Sequence, residues 1–191
     1  MARVTAVHRP ADYPGPVDEA TAQALAELFA HVCPGAREPE IDQSHAGIAI
    51  AALNPKLALQ LAKLSGFIAG ELPWCRRRDL RELAMQVVNL HFGCDYAFRV
   101  RLPAAQAAGI GAALLAALPA WRSSALFDAE QRLVIEYTQA VVTGAVPAEL
   151  FARVVERYGE KGAVEFTTLA AFWSFWAMLL NATRPEPEPG A

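Results

Sequence analysis

One short apolar segment of the chain carries four side chains that can take part in acid–base or thiol chemistry. Glu82, His91, Cys94 and Tyr96 lie close together in the sequence, around Gly93. Burial and close neighbours move the pKa values of acids and thiols toward neutrality, which makes such groups reactive. A carboxylate, an imidazole, a thiol and a phenol in one segment therefore predict a site for proton transfer or for thiol chemistry.

Each of these residues also has an ordinary interpretation. Cys94 follows Gly93 at a predicted helix start, where unpaired N–H groups lower the pKa of a thiol, but a free cysteine is also a common core residue. His91 suits a hydrogen-bonded structural histidine, and Glu82 suits an acid favoured by the first turn of a helix. Both interpretations stay open for all three residues.

The spacing limits how these groups can meet. Twelve residues of continuous helix place Glu82 about 18 Å along the axis from Cys94 and about 120° around it. A Glu82–Cys94 site therefore requires that the chain folds back at Gly93 or that a neighbouring subunit intervenes.

Other kinds of site lack their sequence patterns. The four histidines show no metal-ligand spacing, and the chain has no glycine-rich phosphate loop and no G-x-S-x-G elbow. A net charge of −3 gives no electrostatic footprint for nucleic acid. We expect cofactor-free chemistry on a small molecule, without a metal or a nucleic-acid partner.

The elements that position these groups are predicted to be helices. Alanine, the best helix former, supplies much of the 54% hydrophobic content, and no stretch alternates with period two. Asp79 suits the N-cap of a helix that carries Glu82 to Phe92. Gly93 interrupts this helix, and Pro103 kinks or restarts the next segment.

The whole chain is predicted to be an all-α bundle of about eight helices. A single domain over residues 17–183 follows an irregular N-terminal arm (1–16) and precedes a disordered tail (184–191). The other predicted helices come in this order along the chain. The first three run from Pro16 to Val32, from about His45 to Leu53, and from Pro55 with Leu57, Leu61, Leu64 and Ile68 on one stripe. The last four run from beyond Gly109 to Leu118, Asp128 to Val142, Pro147 to Tyr158, and Glu160 to Asn181.

Composition bears on location and assembly. The uncharged stretch 166–182 just reaches the length of a membrane helix, about 17 residues, and its polar residues favour a helix buried on all sides instead. Three cysteines without a C-x-x-C pair and an N-terminus without a long apolar run fit a reducing cytoplasm. The high apolar content with only 19% charged residues favours a homo-oligomer.

Several short motifs, taken together with their order along the chain, resemble the carboxymuconolactone decarboxylase family, which includes the alkylhydroperoxidase-D proteins. The resemblance implies an alkylhydroperoxidase-D-like fold assembled into trimers or hexamers, with active sites near subunit contacts. The motifs are Leu53–Leu57, Arg81–Ala84, Gly93-Cys94-x-Tyr96, Ala108-Gly109-Ile110, Phe127–Glu130 and Met178–Ala182.

In the peroxidase branch of that family, a glutamate, a C-x-x-C pair and a histidine reduce peroxide. These positions correspond here to Glu82, Cys94, Ala97 and Arg101. A cycle closed by an intramolecular disulfide needs a resolving thiol, and Ala97 cannot be one. The resemblance therefore disfavours a dithiol peroxidase, unless another cysteine lies within disulfide distance of Cys94.

The decarboxylase branch needs an anion clamp, stabilisation of the developing enolate and a proton donor at carbon. Arg101 cannot be a general base, because its guanidinium stays protonated, but Arg101 or Arg99 can bind a substrate carboxylate. His91 or Tyr96 can supply the proton, and Glu82 can relay it. The leading prediction is a cofactor-independent lyase acting on a small carboxylated or cyclic metabolite.

Two alternatives remain. One is a redox protein that uses the single thiol of Cys94 with an external reductant. The other is a degenerate, non-catalytic relative that binds a ligand or serves in assembly, which the replacements at Ala97 and Arg101 motivate.

Overall fold

Helices form all the regular secondary structure of the part of the chain that the structure, a computed structural model, describes, residues 2–185. The all-α prediction is confirmed for this range. Its nine α-helices are α1 Glu19–Val32, α2 Ala46–Ala51, α3 Pro55–Gly70, α4 Arg78–His91, α5 Asp95–Val100, α6 Leu102–Ala107, α7 Ala112–Ala117, α8 Ala129–Val142 and α9 Ala148–Thr183.

Side-chain caps set several helix starts. The Asp18 carboxylate accepts a hydrogen bond from the Thr21 amide at 2.8 Å, so α1 begins at Glu19 and not in the turn of Pro16 as predicted. Asp128 caps α8 and exchanges hydrogen bonds with Gln131. These caps satisfy amide groups that the first turn of a helix leaves unpaired.

Gly159 divides α9 where the sequence predicts the end of one helix and the start of another. Its φ of 71° and ψ of 168° are not helical. Positive φ costs glycine little, because glycine has no Cβ. The predicted break is confirmed.

The chain divides into two compact units, residues 2–67 with 179–185, and residues 68–178. In the first unit the N-terminal arm is anchored by hydrogen bonds: the Val7 amide donates to the Ala49 carbonyl, and Val7 is fully buried. The single domain over residues 17–183 stays a prediction. The predicted disordered tail lies, from residue 186 onward, outside the described residues.

The second unit has an aromatic core that positions α4. Trp74 stacks on Phe166 with ring centroids 4.0 Å apart, and Tyr137 lies 4.9 Å from the same ring. α4 packs against α8, with Leu83 and Val134 fully buried. Packing against α8 therefore holds one side of α4 in the core.

One burial prediction is wrong. The stretch 166–182 is not buried on all sides, because Phe175 and Met178 lie exposed on α9. Leu57 and Leu64 of the α3 stripe are also exposed, by 51% and 44%. α9 is long and apolar enough to cross a membrane, and only half of its apolar window is buried. Periodicity shows which residues share a helix face, but it does not show what covers that face.

Candidate functional site

Glu82 forms a buried, two-point ion pair with Arg101. Arg101 Nε donates to Glu82 Oε2 at 3.0 Å, and Arg101 Nη2 donates to Oε1 at 2.5 Å. Glu82 is only 1% exposed, and the Arg101 side chain is 15% exposed. Arg81 adds a third donor to Oε1 at 3.2 Å. Both carboxylate oxygens are therefore occupied by guanidinium groups.

Other contacts hold the two arginines in place. The Arg101 guanidinium lies 5.2 Å from the centre of the Trp173 ring, a cation–π contact. Arg81 Nη1 donates to the backbone carbonyl of Ala69 at 2.9 Å. The ion pair is thus part of a packed arrangement between α4, the α5–α6 region and α9.

Gln86 and Asn89 continue a buried polar stripe along α4, one and two turns beyond Glu82. Trp173 Nε1 donates to Asn89 Oδ1, Asn89 Nδ2 donates to Gln86 Oε1, and Gln86 Nε2 donates to the Phe98 carbonyl. Neither Gln86 nor Asn89 was predicted from the sequence. Their spacing from Glu82, by four and seven residues in an apolar helix, was the available signal.

The chain folds back at Gly93, as one of the two predicted arrangements requires. Gly93 has a φ of +58°, and the Cys94 amide donates to the Asn89 carbonyl at 2.8 Å. α5 and α6 then pack on α4, which lets Arg101 reach Glu82. The fold-back brings Arg101 to Glu82.

Cys94 does not have the reactive environment that its position predicts. It is 1% exposed, and burial raises the pKa of its thiol. Burial also raises the pKa of Cys75, to about 11. The helix start was expected to lower the pKa of the Cys94 thiol. Burial outweighs that effect, because it disfavours the charged thiolate. All three cysteines, including Cys33, are free.

His91 lies away from Glu82. Nine residues of helix place the two about 180° apart around α4 and about 13 Å apart along it. His91 is exposed, Tyr96 is half-buried, and Arg99 is exposed on α5. Within one chain Glu82 therefore meets Arg101 but not His91. A site that gathers all of these groups, with help from a neighbouring subunit, stays a prediction.

The side of α4 that carries His91 borders a cleft of about 640 Å³ in the second unit, here called the His91 cleft. Its charged or titratable lining groups are His91, Arg122 and Glu136. α4, α8, the turn after α7 and the start of α9 supply its walls. The apolar lining includes Val87, Leu90, Leu118, Pro119, Ile135, Ala140 and Leu150.

Two of the charged groups in the His91 cleft have defined neighbours. Glu136 Oε2 accepts a hydrogen bond from Arg153 Nη1 at 2.8 Å. The Arg122 guanidinium lies over the Trp121 ring, 4.5 Å from its centre. Arg122 and Glu136 were not predicted from the sequence, because they follow no motif and reach the cleft only through the packing of α8 and the turn before it.

Within residues 2–185, no group of three or more His, Cys, Asp or Glu side chains is arranged to hold a metal ion. No family model, curated protein or solved structure matches the chain. The family resemblance therefore stays a prediction.

Proposed function

We propose that the protein is a cofactor-independent acid–base enzyme of the carboxymuconolactone decarboxylase type, with His91 as its proton-transfer residue. The substrate is a small carboxylated or cyclic metabolite. One observation carries the proposal: of the four histidines, His91 alone lines the His91 cleft, beside an apolar wall and a cation. Histidine is the side chain best suited to exchange a proton near neutral pH.

The reaction explains why the cleft combines these groups. Loss of CO₂ from a carboxylated substrate leaves a carbanion or enolate, which must take up a proton at carbon. An imidazolium at His91 can donate that proton and later recover one from water. Val87, Ile135 and Leu150 provide apolar walls that limit the access of water to the reacting carbon.

In this proposal Glu82 and Arg101 support the fold of the site and do not handle the substrate. Both oxygens of Glu82 already accept hydrogen bonds from arginines, so neither is open to relay a substrate proton. The Arg101 guanidinium is engaged by Glu82 and by Trp173, so it is not a free anion clamp. Tyr96 and Arg99 keep their predicted roles as secondary candidates.

Assembly into a homotrimer or homohexamer in the cytoplasm belongs to the same proposal. Leu57, Leu64 and Phe67 of α3 are exposed, and so are Phe175 and Met178 of α9. Exposed apolar side chains of this size on either helix favour a partner surface. Light scattering after gel filtration should give three or six times the monomer mass, and a monomer would contradict this part of the proposal.

The catalytic proposal is tested by a screen followed by one substitution. Purified protein is offered a panel of small β-keto acids and carboxylated lactones, and released CO₂ is measured. His91→Gln should lower kcat/KM by more than about tenfold on any substrate found. His31→Gln, at an exposed histidine of α1, is the matched control and should leave kcat/KM unchanged.

A second candidate is a non-catalytic, ligand-binding relative. The Glu82–Arg101 pair favours it, because the resemblance places a catalytic glutamate and a histidine at those positions and here the pair is closed on itself. Ligand binding in the His91 cleft without turnover of any panel member would select this candidate.

The single-thiol redox alternative has the least support. Cys94 is buried and its raised pKa keeps the thiol protonated. A Cys94 thiolate that is alkylated rapidly near pH 6 in the native protein would reverse this ranking.

A further inference from the structure

The His91 cleft holds one cation that no carboxylate of the described residues neutralises. Glu136 pairs with Arg153, so its charge is compensated. Within residues 2–185, the Arg122 side chain makes only the cation–π contact with Trp121 and has no ion pair. Arg122 is exposed to solvent, so its guanidinium can meet a negatively charged group on a molecule that enters the cleft and rests on the apolar wall.

The neighbours of Arg122 hold its guanidinium in a position to bind an anion. Trp121 is 7% exposed, so its ring is a fixed platform under the guanidinium. The Trp121 carbonyl accepts a hydrogen bond from Arg132 Nη1 at 3.0 Å, which holds the turn before α8. Stacking occupies a face of the guanidinium and leaves the N–H groups of its edge available to an anion.

We infer that Arg122 binds the carboxylate of an organic acid whose apolar body lies against Val87, Ile135 and Leu150. The inference rests on the proposed function and names the residue that sets its specificity. A carboxylate can take two parallel hydrogen bonds from a guanidinium, and a cleft of about 640 Å³ is large enough for a small ring acid. The anion-binding role predicted for Arg101 is thus assigned to Arg122, and Arg99 stays a secondary candidate for it.

Binding can be measured without turnover. The probes are cyclohexanecarboxylate and benzoate, the neutral amide of each, and inorganic phosphate, titrated into the full chain and followed by NMR of its arginine Nε–Hε groups and backbone amides. Each acid should bind about tenfold more tightly than its amide, since a charge-assisted hydrogen bond is lost in the amide. Shifts should centre on Arg122 and His91.

Substitutions assign the effect to one residue. Arg122→Gln should weaken acid binding by about tenfold, to the level of the amide, and Arg122→Lys should fall between. Arg78→Gln, at an exposed arginine that does not line the cleft, is the matched control and should bind the acids like the unmodified chain.

Three results would overturn the inference: equal affinity for acid and amide, an Arg122→Gln protein that binds the acids normally, or phosphate binding as tight as that of the acids. Its failure is distinct from failure of the proposed function. His91→Gln should keep acid binding and lose turnover. A His91→Gln protein with full turnover would refute the catalytic role and leave the binding role of Arg122 standing.

Discussion

Replacing Arg101 by methionine tests whether the buried ion pair is structural. Methionine keeps the unbranched stem that packs near Trp173 but removes the guanidinium. Two hydrogen bonds to Glu82 are lost, at 2.5 and 3.0 Å, while the 3.2 Å bond from Arg81 remains. Glu82, at 1% exposure, is then left with one guanidinium partner and almost no access to water.

The expected magnitude follows from these contacts. Hydrogen bonds to charged groups contribute about 1.5–3 kcal/mol each, and breaking a buried pair costs about 3–5 kcal/mol. Because Arg81 remains and Arg101 is 15% exposed, we expect a loss near the lower end, about 3 kcal/mol in the free energy of unfolding. For a chain of this size, that lowers Tm by roughly 6–12 °C.

Urea unfolding and thermal melts of Arg101→Met, Glu82→Gln and the double variant measure the effect. The double variant should be less destabilised than the sum of the single variants, with a coupling of about 2 kcal/mol. Arg153→Met is the control, since Arg153 and Glu136 form an exposed pair worth less than about 1 kcal/mol. A loss below about 1 kcal/mol for Arg101→Met, or additive single variants, would refute the structural role.

Three further predictions concern thiols and glycines. In native protein at pH 8, iodoacetamide should label the partly buried Cys33 well before Cys94, and mass spectrometry of digests would contradict this if both reacted equally. Burial raises the pKa of Cys75 from 9.0 to about 11. The buried thiol therefore contributes its full stabilisation below pH 9, and this stabilisation is lost as the pH rises through 11. Cys75→Ala should flatten the fall in the free energy of unfolding between pH 9 and 11, and an unchanged slope would contradict this prediction. Gly159→Ala should cost about 1–3 kcal/mol because of its φ of +71°, whereas Gly66→Ala, in open space within α3, should stabilise by about 0.5–1 kcal/mol; urea titrations that show equal effects would contradict both.

Local signals made the helices predictable. Asp128 before an apolar run, Asn54-Pro55, and the glycines at 93 and 159 mark helix ends through interactions within a few residues. Where a cap competes with a proline, as at Asp18 and Pro16, the cap sets the start, because its side chain bonds an otherwise unpaired amide.

The candidate site was only partly predictable, because its contacts join distant parts of the chain. Glu82 and Arg101 were singled out, but as a catalyst and a clamp, and their direct pairing depends on the return of α5 and α6 along α4. Arg122 and Glu136 reach the His91 cleft through the packing of α4 on α8. No periodicity within one helix contains that information.

In the proposed function, chemistry takes place in the His91 cleft and depends on the imidazole of His91. The most direct test is kcat/KM for His91→Gln beside the unmodified chain and His31→Gln, on the panel acid that is turned over, with circular dichroism to verify the helices. We expect that only His91→Gln loses activity, by more than about tenfold. A His91→Gln protein with unchanged kcat/KM would contradict it.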